Sequence, residues 1–447
     1  MKKIVHHPLI KFLFFFCLFV CIAFEYGYFE QLSMRPQSTH MWRQTDCTSM
    51  TLNYYQHGMH FMQPQLHNRL GDNGYAVGEF PGLYYLVAGA YKIFGPSEFI
   101  YRLIWMIILF IGLFFLYKSI DKILKDTFWG MGIALLLFSS PVLVFYGNSF
   151  IADPTAISFS FIGWYLFLLF KESGKKKWIW FSALFFMLAG LLKLIALISF
   201  MALLIVLTAE AIYYLVKERS AAKIKEAIVQ YHPFIICCIG VIIWYRYAMW
   251  YNEQHSSIYF YTKVVPLWSL TKTQVHDVID QIWLNTRFEY YMPLTIKISI
   301  VLFALTIIFY SWRGTASLTH FISMCFASVI TCILLWFEQY KYHDYYVISF
   351  LPFFPMLFMV FVKKFIVDIR IRWIAIGFKL LFTWFLFKNI NYTIDRQKVR
   401  YEGWMSYNIP VTKSFMTITP YMRSLGITAE DKAVSYTHLT LPTNREV

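Results

Sequence analysis

Charge is scarce in this chain. Asp, Glu, Lys and Arg make up 15% of its 447 residues, and acids are the scarcer sign, 25 against 40 Lys and Arg. Soluble domains average about 25% charged residues. The deficit, set beside 58% hydrophobic and 21% aromatic content, therefore excludes an array of two or three soluble domains. Cysteine spacing that would read as a disulfide framework or a metal knuckle is also missing. Cys17, Cys21, Cys47, Cys237, Cys238, Cys325 and Cys332 mostly lie inside apolar runs, where they read as small packing residues. No small-residue cleavage site follows Phe24-Glu25-Tyr26, so the apolar stretch after Met1-Lys2-Lys3 reads as an uncleaved first span and not as a signal peptide. No internal repeat is visible.

What is present is apolar sequence in recurring runs. The mean hydropathy is +0.51, and runs near the roughly 18 residues that a membrane helix needs recur along the chain. They predict about eleven spans, at 9–28, 100–117, 129–146, 156–171, 178–192, 194–215, 231–248, 296–311, 316–337, 345–362 and 373–388. The fold class is thus an all-α polytopic membrane protein. The formal charge of +15 would suggest nucleic acid in a soluble protein, but here the cations cluster in short links between apolar runs. Every second link is basic, as in Lys118, Lys122 and Lys125, or Lys363, Lys364, Arg370 and Arg372. Cytoplasmic loops collect Lys and Arg, so the N-terminus is expected in the cytoplasm, the alternate links outside it, and the protein in a bacterial inner (plasma) membrane. The spans at 178–192 and 194–215 are divided only by Lys193 after Gly190, and a single helix there would invert everything downstream.

Two outer links are long, 30–99 and 249–295, and both suit helices lying at the interface. In the first, Thr45 or Asp46 could cap a short helix over 45–57, and Phe80 to Phe94 is apolar yet short for a span. That link opens His40-Met41-Trp42-Arg43-Gln44-Thr45-Asp46. An acid at the membrane surface beside Arg43 could take a proton from an acceptor hydroxyl while the arginine binds a phosphate. Equally, Asp46 could cap a helix and Arg43 could meet lipid headgroups. Glu79 before Pro81, and Asp153 before Pro154, each carry a carboxylate where helix-start chemistry is the plainer reading. Lys193, at the outer end between two apolar runs, costs several kcal/mol unless paired, hydrated or snorkelling, which marks it as functional. Between the ninth and tenth spans, Glu338 to Tyr346 gathers His343, Asp344 and Tyr345 with other aromatics. Such a patch could hold a sugar by stacking and hydrogen bonding, or could be an interfacial aromatic belt.

Taken in order, Trp42 to Asp46, Glu79-Phe80-Pro81-Gly82-Leu83-Tyr84-Tyr85, Asn148 to Pro154, Gly190 to Lys193 and His343-Asp344-Tyr345-Tyr346 resemble family 39 glycosyltransferases. That family includes the protein mannosyltransferases and the lipid A aminoarabinose transferases. The resemblance spans residues 1–390 and implies a GT-C-type transmembrane catalytic domain. An acid in the first outer loop activates the acceptor, and Asp46 is the matching position. It further implies a polyprenyl-phosphate sugar donor and transfer with inversion on the outer leaflet to a glycan, lipid or protein acceptor. Arg43, Lys193 and Arg246 would bind the donor phosphate, with Glu79, Asp153, His343, Asp344 and Tyr345 supporting. The sequence has Asp46-Cys47 where many members show Asp-Glu, and Glu79 where others have a basic residue before proline. A divalent cation on Asp46 and Asp153, both hard oxygen ligands, is an open option, although neither adjoins a second acid.

Two other classes share this topology. A transporter would place polar or broken helices near the midplane, whereas here the polar groups crowd one surface. A polymerase or ligase joining preassembled glycans would differ in its donor. After the last span, 391–434 reads as the start of an outer C-terminal segment. The final stretch, Ser435 to Val447 (SYTHLTLPTNREV), resembles translated sequencing-adaptor read-through and not native protein.

Overall fold

The computed structural model describes residues 7–67, 73–217, 219–260, 264–402 and 418–427. The terminal tail 435–447 and half of the 391–434 segment fall outside these. Among the described residues the chain is helical, with one isolated bridge between Gln65 and Tyr75. In chain order the longer helices are α1 (Pro8–Glu25), α2 (Met41–Gln56), α3 (Gly82–Phe94), α4 (Glu98–Leu124), α5 (Thr127–Leu137), α6 (Pro141–Gly147), α7 (Asp153–Ser173) and α8 (Lys176–Leu192). Then follow α9 (Ile198–Val216), α10 (Ala221–Gln254), α11 (Lys272–Leu284), α12 (Pro293–Ile308), α13 (Ala316–Leu335), α14 (Phe353–Phe365) and α15 (Arg372–Tyr401).

Every stretch expected to span contains an α-helix, although 129–146 is interrupted at 138–140 and 345–362 opens as a 3-10 helix, Asp344–Ser349, before α14. Among the described residues, eight helices are long and apolar enough to cross a membrane, or nine if the bent pair α5 and α6 counts as one span. That pair is bent by 79° at a break before Pro141, whose missing N–H and ring suit the first turn of a new helix. Helices α8, with 17 residues, and α12, with 16, fall just short of a full span. The break at Lys193 is real: its backbone is extended (φ −156°, ψ 113°), and a short 3-10 turn, Leu194–Leu197, precedes α9. The last helix runs past the expected end at 388 to Tyr401. It does so because Asn389, Thr393, Gln397 and Arg400 form a buried polar stripe at helical spacing, which an apolar count overlooks.

Burial sorts the bundle. The window of the span from Asp344 to Phe365 is 72% buried and that of α7 67%, whereas those of α1 and α13 are 17%. The first two form the centre, and the last two turn most of their apolar surface outward. Helix α7 achieves its central place with small residues: a Cβ at Gly112 of α4 would come 2.4 Å from the Ser158 Cβ, so the two backbones meet where a side chain would separate them. Beside them Phe15 stacks on Tyr117 at 5.3 Å, and Phe19 on Phe138 at 4.9 Å. Exposed Ile242, Ile243, Ile300 and Ile308 are the side chains of a protein whose solvent there is hydrocarbon. This is a multi-pass membrane protein.

Candidate active site

Helix α2 carries Asp46, and the expectation of a cap at Thr45 or Asp46 is corrected here. Both lie inside the helix, whose N-cap is His40 in the left-handed region (φ 54°). The Thr45 hydroxyl donates back to the Met41 carbonyl at 2.9 Å. Asp46 is therefore not spent on helix ends. One turn earlier on the same face sits Arg43, paired with the Glu79 carboxylate and lying 5.4 Å from the Phe260 ring centroid. The Tyr84 hydroxyl donates to Glu79 Oε1 at 2.5 Å.

No side-chain cap bond ties the other two acids to a helix start either. Glu79 precedes α3, whose N-cap is Pro81 and which has no side-chain cap bond. Asp153 opens α7 after an Ala152 cap, and its Oδ1 lies 3.3 Å from Lys193 Nζ. Lys193 in turn sits over the rings of Tyr346 at 4.1 Å and Tyr345 at 5.2 Å. Backbone contacts lock these parts together. The Phe80 N–H donates to the Leu191 carbonyl at 2.9 Å, Trp244 Nε1 to the Gly78 carbonyl at 3.4 Å, and the Tyr245 hydroxyl to the Gly190 carbonyl at 3.1 Å. The loop bearing Glu79 and the break bearing Lys193 are thus one wall.

Electrostatics separates the acids. Burial pushes the Asp46 carboxyl up to about 6, although Arg43 and a hydrogen bond from the Tyr259 hydroxyl pull it down. Burial acts the same way on Glu79, but Arg43, Tyr84 and Lys193 outweigh it and hold that carboxyl below its usual range. Burial disfavours charge on Lys193, yet Asp153 foremost, with Tyr346 and Glu79, keeps its pKa above the usual value. His343 is driven the other way, to about 3, by burial and then by His40, Lys193 and Arg43, so it is neutral near pH 7. Asp153 is likewise pushed up by burial, against the pull of Lys193, so two raised acids stand beside the ion-paired Glu79, a pattern found at acid–base sites.

A second buried network backs this one. Asp344 Oδ1 accepts from the Tyr146 hydroxyl at 2.6 Å and lies 3.1 Å from His40 Nε2, while its Oδ2 accepts from Arg400 Nη2 at 2.8 Å. Arg400 Nε also donates to Glu289 at 2.7 Å, and Glu289 pairs with Arg396. His40, Asp344 and Arg400 therefore tie the start of α2, the His343–Tyr346 segment and the end of α15 to each other. An apolar cavity of about 240 Å³ begins a few residues along the chain from Lys193 and Tyr346. Ala196, Ile198, Ser349 and Phe350 begin its wall, and Phe161, Trp164 and Phe321 continue it.

Of the residues expected from sequence, Arg43, Asp46, Glu79, Asp153, Lys193, His343, Asp344 and Tyr345 meet at this end of the bundle. Arg246 does not: it is exposed on α10, and among the described residues no ion pair or hydrogen bond joins it to the cluster. The acids considered for a cation, Asp46 and Asp153, face Tyr259 and Lys193, and among the described residues no three His, Cys, Asp or Glu side chains gather at metal-binding range. Sequence reasoning missed Tyr259 and the Arg400–Glu289 pair. Tyr259 bonds to Asp46 across 213 positions, and no local pattern announces it. For Arg400 the signal existed in the polar stripe of α15.

Comparison with known proteins gives the fold and the family. No curated protein sequence matches the chain. Among solved structures, ArnT from Cupriavidus metallidurans bound to undecaprenyl phosphate matches 93% of this chain and 81% of its own at a TM-score of 0.58 and 12% identity. The apo form of the same enzyme matches 93% and 80% at 0.55, again at 12% identity. The likeness is one of fold, and it is the GT-C architecture. The sequence profile of the dolichyl-phosphate-mannose-protein mannosyltransferases (PMT) matches residues 29–260, which is more than half the chain and takes in Arg43, Asp46, Glu79, Asp153, Lys193 and Tyr259. The chain belongs to the PMT family of membrane glycosyltransferases.

Proposed function

We propose that the protein transfers a sugar from a polyprenyl-phosphate donor to an acceptor hydroxyl on the extracytoplasmic face of the plasma membrane, with inversion and with Asp46 as general base. The observation that carries this reading is Asp46 itself: a buried carboxyl raised to about 6 on the same helical face as Arg43. At neutral pH it is ionised yet still basic enough to accept a proton. The acceptor oxygen attacks the anomeric carbon opposite the phosphate, its proton passes to Asp46, and the bond from that carbon to the phosphate oxygen breaks. Charge then grows on the leaving polyprenyl phosphate.

Lys193 and Arg43 supply the stabilisation. Each is held charged by an acid, Asp153 and Glu79 respectively, so cations preorganised before the donor arrives need little rearrangement as the bond breaks. Tyr345 and Tyr346 back Lys193, and neutral His343 can share a hydrogen bond without adding charge. The apolar cavity behind them suits the first isoprene units of the donor's tail, which would leave the phosphate at the boundary between water and hydrocarbon. The ArnT structure bound to undecaprenyl phosphate supports a donor of this kind. Basic links at 118–125 and 363–372 support a cytoplasmic N-terminus with the site on the opposite face.

The test is transfer from labelled polyprenyl-phosphate sugars by purified protein in lipid nanodiscs. Asp46→Asn is expected to lower the rate by about 10²–10⁴, the usual worth of a general base, while retaining undecaprenyl phosphate binding. Unchanged transfer by that variant rejects Asp46 as the base, and vesicle uptake without transfer would make the protein a transporter.

A further inference from the structure

Beyond the donor side lies a second cavity, of about 330 Å³, that the transfer reaction as described does not use. It is formed by the end of α10 and the turn after it, with Asn252, Glu253, Ser256, Ser257, Ile258 and Phe260 on its walls. Its position is informative. Phe260 packs under Arg43 and against Gly78, where an added Cβ would come 2.8 Å from the ring. Tyr259, between two wall residues, is the hydrogen-bond donor to Asp46. The cavity therefore adjoins the base on the side of the segment bearing Tyr259, while Lys193 and the apolar cavity belong to the wall around the break before α9.

Its chemistry differs from the donor side as well. Among the lining residues Glu253 carries the single charge and there is no cation, so a phosphate would meet repulsion there. Asn252 is already engaged: its amide accepts from the Val77 N–H at 2.9 Å and donates to the Val77 carbonyl at 2.8 Å, which fixes the cavity to the loop bearing Glu79. The groups left for a ligand are the Glu253 carboxylate and the hydroxyls of Ser256 and Ser257 beside the Phe260 ring. Among the described residues the Ser257 Oγ is buried with no hydrogen-bond partner, a cost that a bound hydroxyl would remove. A carboxylate that can accept from neighbouring hydroxyls, serine hydroxyls and an aromatic face form the donor set that grips a sugar ring.

Resting on the glycosyl-transfer reading, we infer that this cavity is the acceptor subsite and that it takes a neutral sugar ring, presenting one of its hydroxyls to Asp46. A glycan acceptor is thereby favoured over a phosphate-bearing lipid headgroup or a peptide hydroxyl.

Binding can be read without turnover. Saturation-transfer NMR on the full chain in nanodiscs, with methyl β-D-glucoside, glycerol 3-phosphate and a blocked Ser-Thr dipeptide as probes, is expected to show transfer to the glucoside alone. Glu253→Gln should weaken the glucoside about tenfold, roughly the worth of one charge-assisted hydrogen bond, and Ser257→Val should do the same. Both variants should leave undecaprenyl phosphate binding intact, which controls for folding. Asp46→Asn keeps an amide oxygen for the presented hydroxyl and should still bind the glucoside, at an affinity lowered by no more than the other two variants, while transfer is lost. Loss of turnover with binding retained therefore stays separable from loss of binding in Glu253→Gln and Ser257→Val. No signal from the glucoside, an equal signal in all variants, or preference for either competing probe overturns the proposal.

Discussion

Asp46 shows what a single buried carboxyl is asked to do. Its folded pKa, about 6, lies above the ordinary 3.8, so ionising it within the fold costs stability that is absent below pH 3.8 and is fully felt above about 6. Asp46→Asn is accordingly expected to raise the melting temperature at pH 7.5, by the equivalent of at most about 3 kcal/mol, with the gain vanishing near pH 4. Scanning calorimetry across that range checks it, and a variant less stable than the unaltered protein at pH 7.5 contradicts it. Activity should show the opposite preference. A base must be unprotonated, so kcat/KM should rise through about pH 6 to a plateau. Because the Tyr259 hydrogen bond pulls that pKa down, Tyr259→Phe should move the rise to higher pH, and an unmoved limb would deny the bond its role.

Elements rather than residues set where that carboxyl sits. The end of α15 reaches the site through Arg400, fully buried between Glu289 and Asp344. Arg400→Met would leave Asp344 and Glu289 short of a buried cation, a loss of about 3–5 kcal/mol, readable as a lower thermal midpoint of the solubilised protein. A midpoint within a degree of the original would show the network to be idle. The contact of α4 with α7 makes a similar demand. Gly112→Ala forces a methyl group to within 2.6 Å of the Ser158 Cα and should cost about 1–3 kcal/mol. Gly89→Ala, in α3 with nothing within 4 Å, should be neutral or stabilising by about 0.5–1 kcal/mol. Reversal of that order would refute the packing described between the two helices.

At the scale of the molecule, legibility in the sequence followed distance along the chain. Apolar runs placed every expected helix, because a bilayer imposes its thickness on local composition. Arg43 and Asp46 were legible together because an acid and a cation stand three residues apart at the membrane surface, although their shared helical face was not, since the helix starts at Met41 and not at Thr45. Lys193 was legible because an isolated cation between apolar runs is costly. What could not be read were pairings set by tertiary folding: Tyr259 reaching Asp46, or Arg400 reaching Asp344. The same limit misled on Arg246, whose position beside Tyr245 says nothing of which face of α10 it occupies. Helix-cap readings failed at Asp46 for a related reason, since His40 takes the cap position while its side chain turns to Asp344.

The protein's proposed activity depends on one spatial relation: a lipid-linked phosphate gripped by Lys193 and Arg43 with Asp46 beside it. The most direct measurement is a structure of the complete protein in nanodiscs with undecaprenyl phosphate bound. The account predicts the phosphate within hydrogen-bond reach of Lys193 Nζ and the Arg43 guanidinium, the first isoprene units between Phe161 and Phe350, and Asp46 on the side away from the tail. A phosphate seated instead at the opposite end of the bundle, near Lys363 and Lys364, or out of reach of both cations, would contradict it.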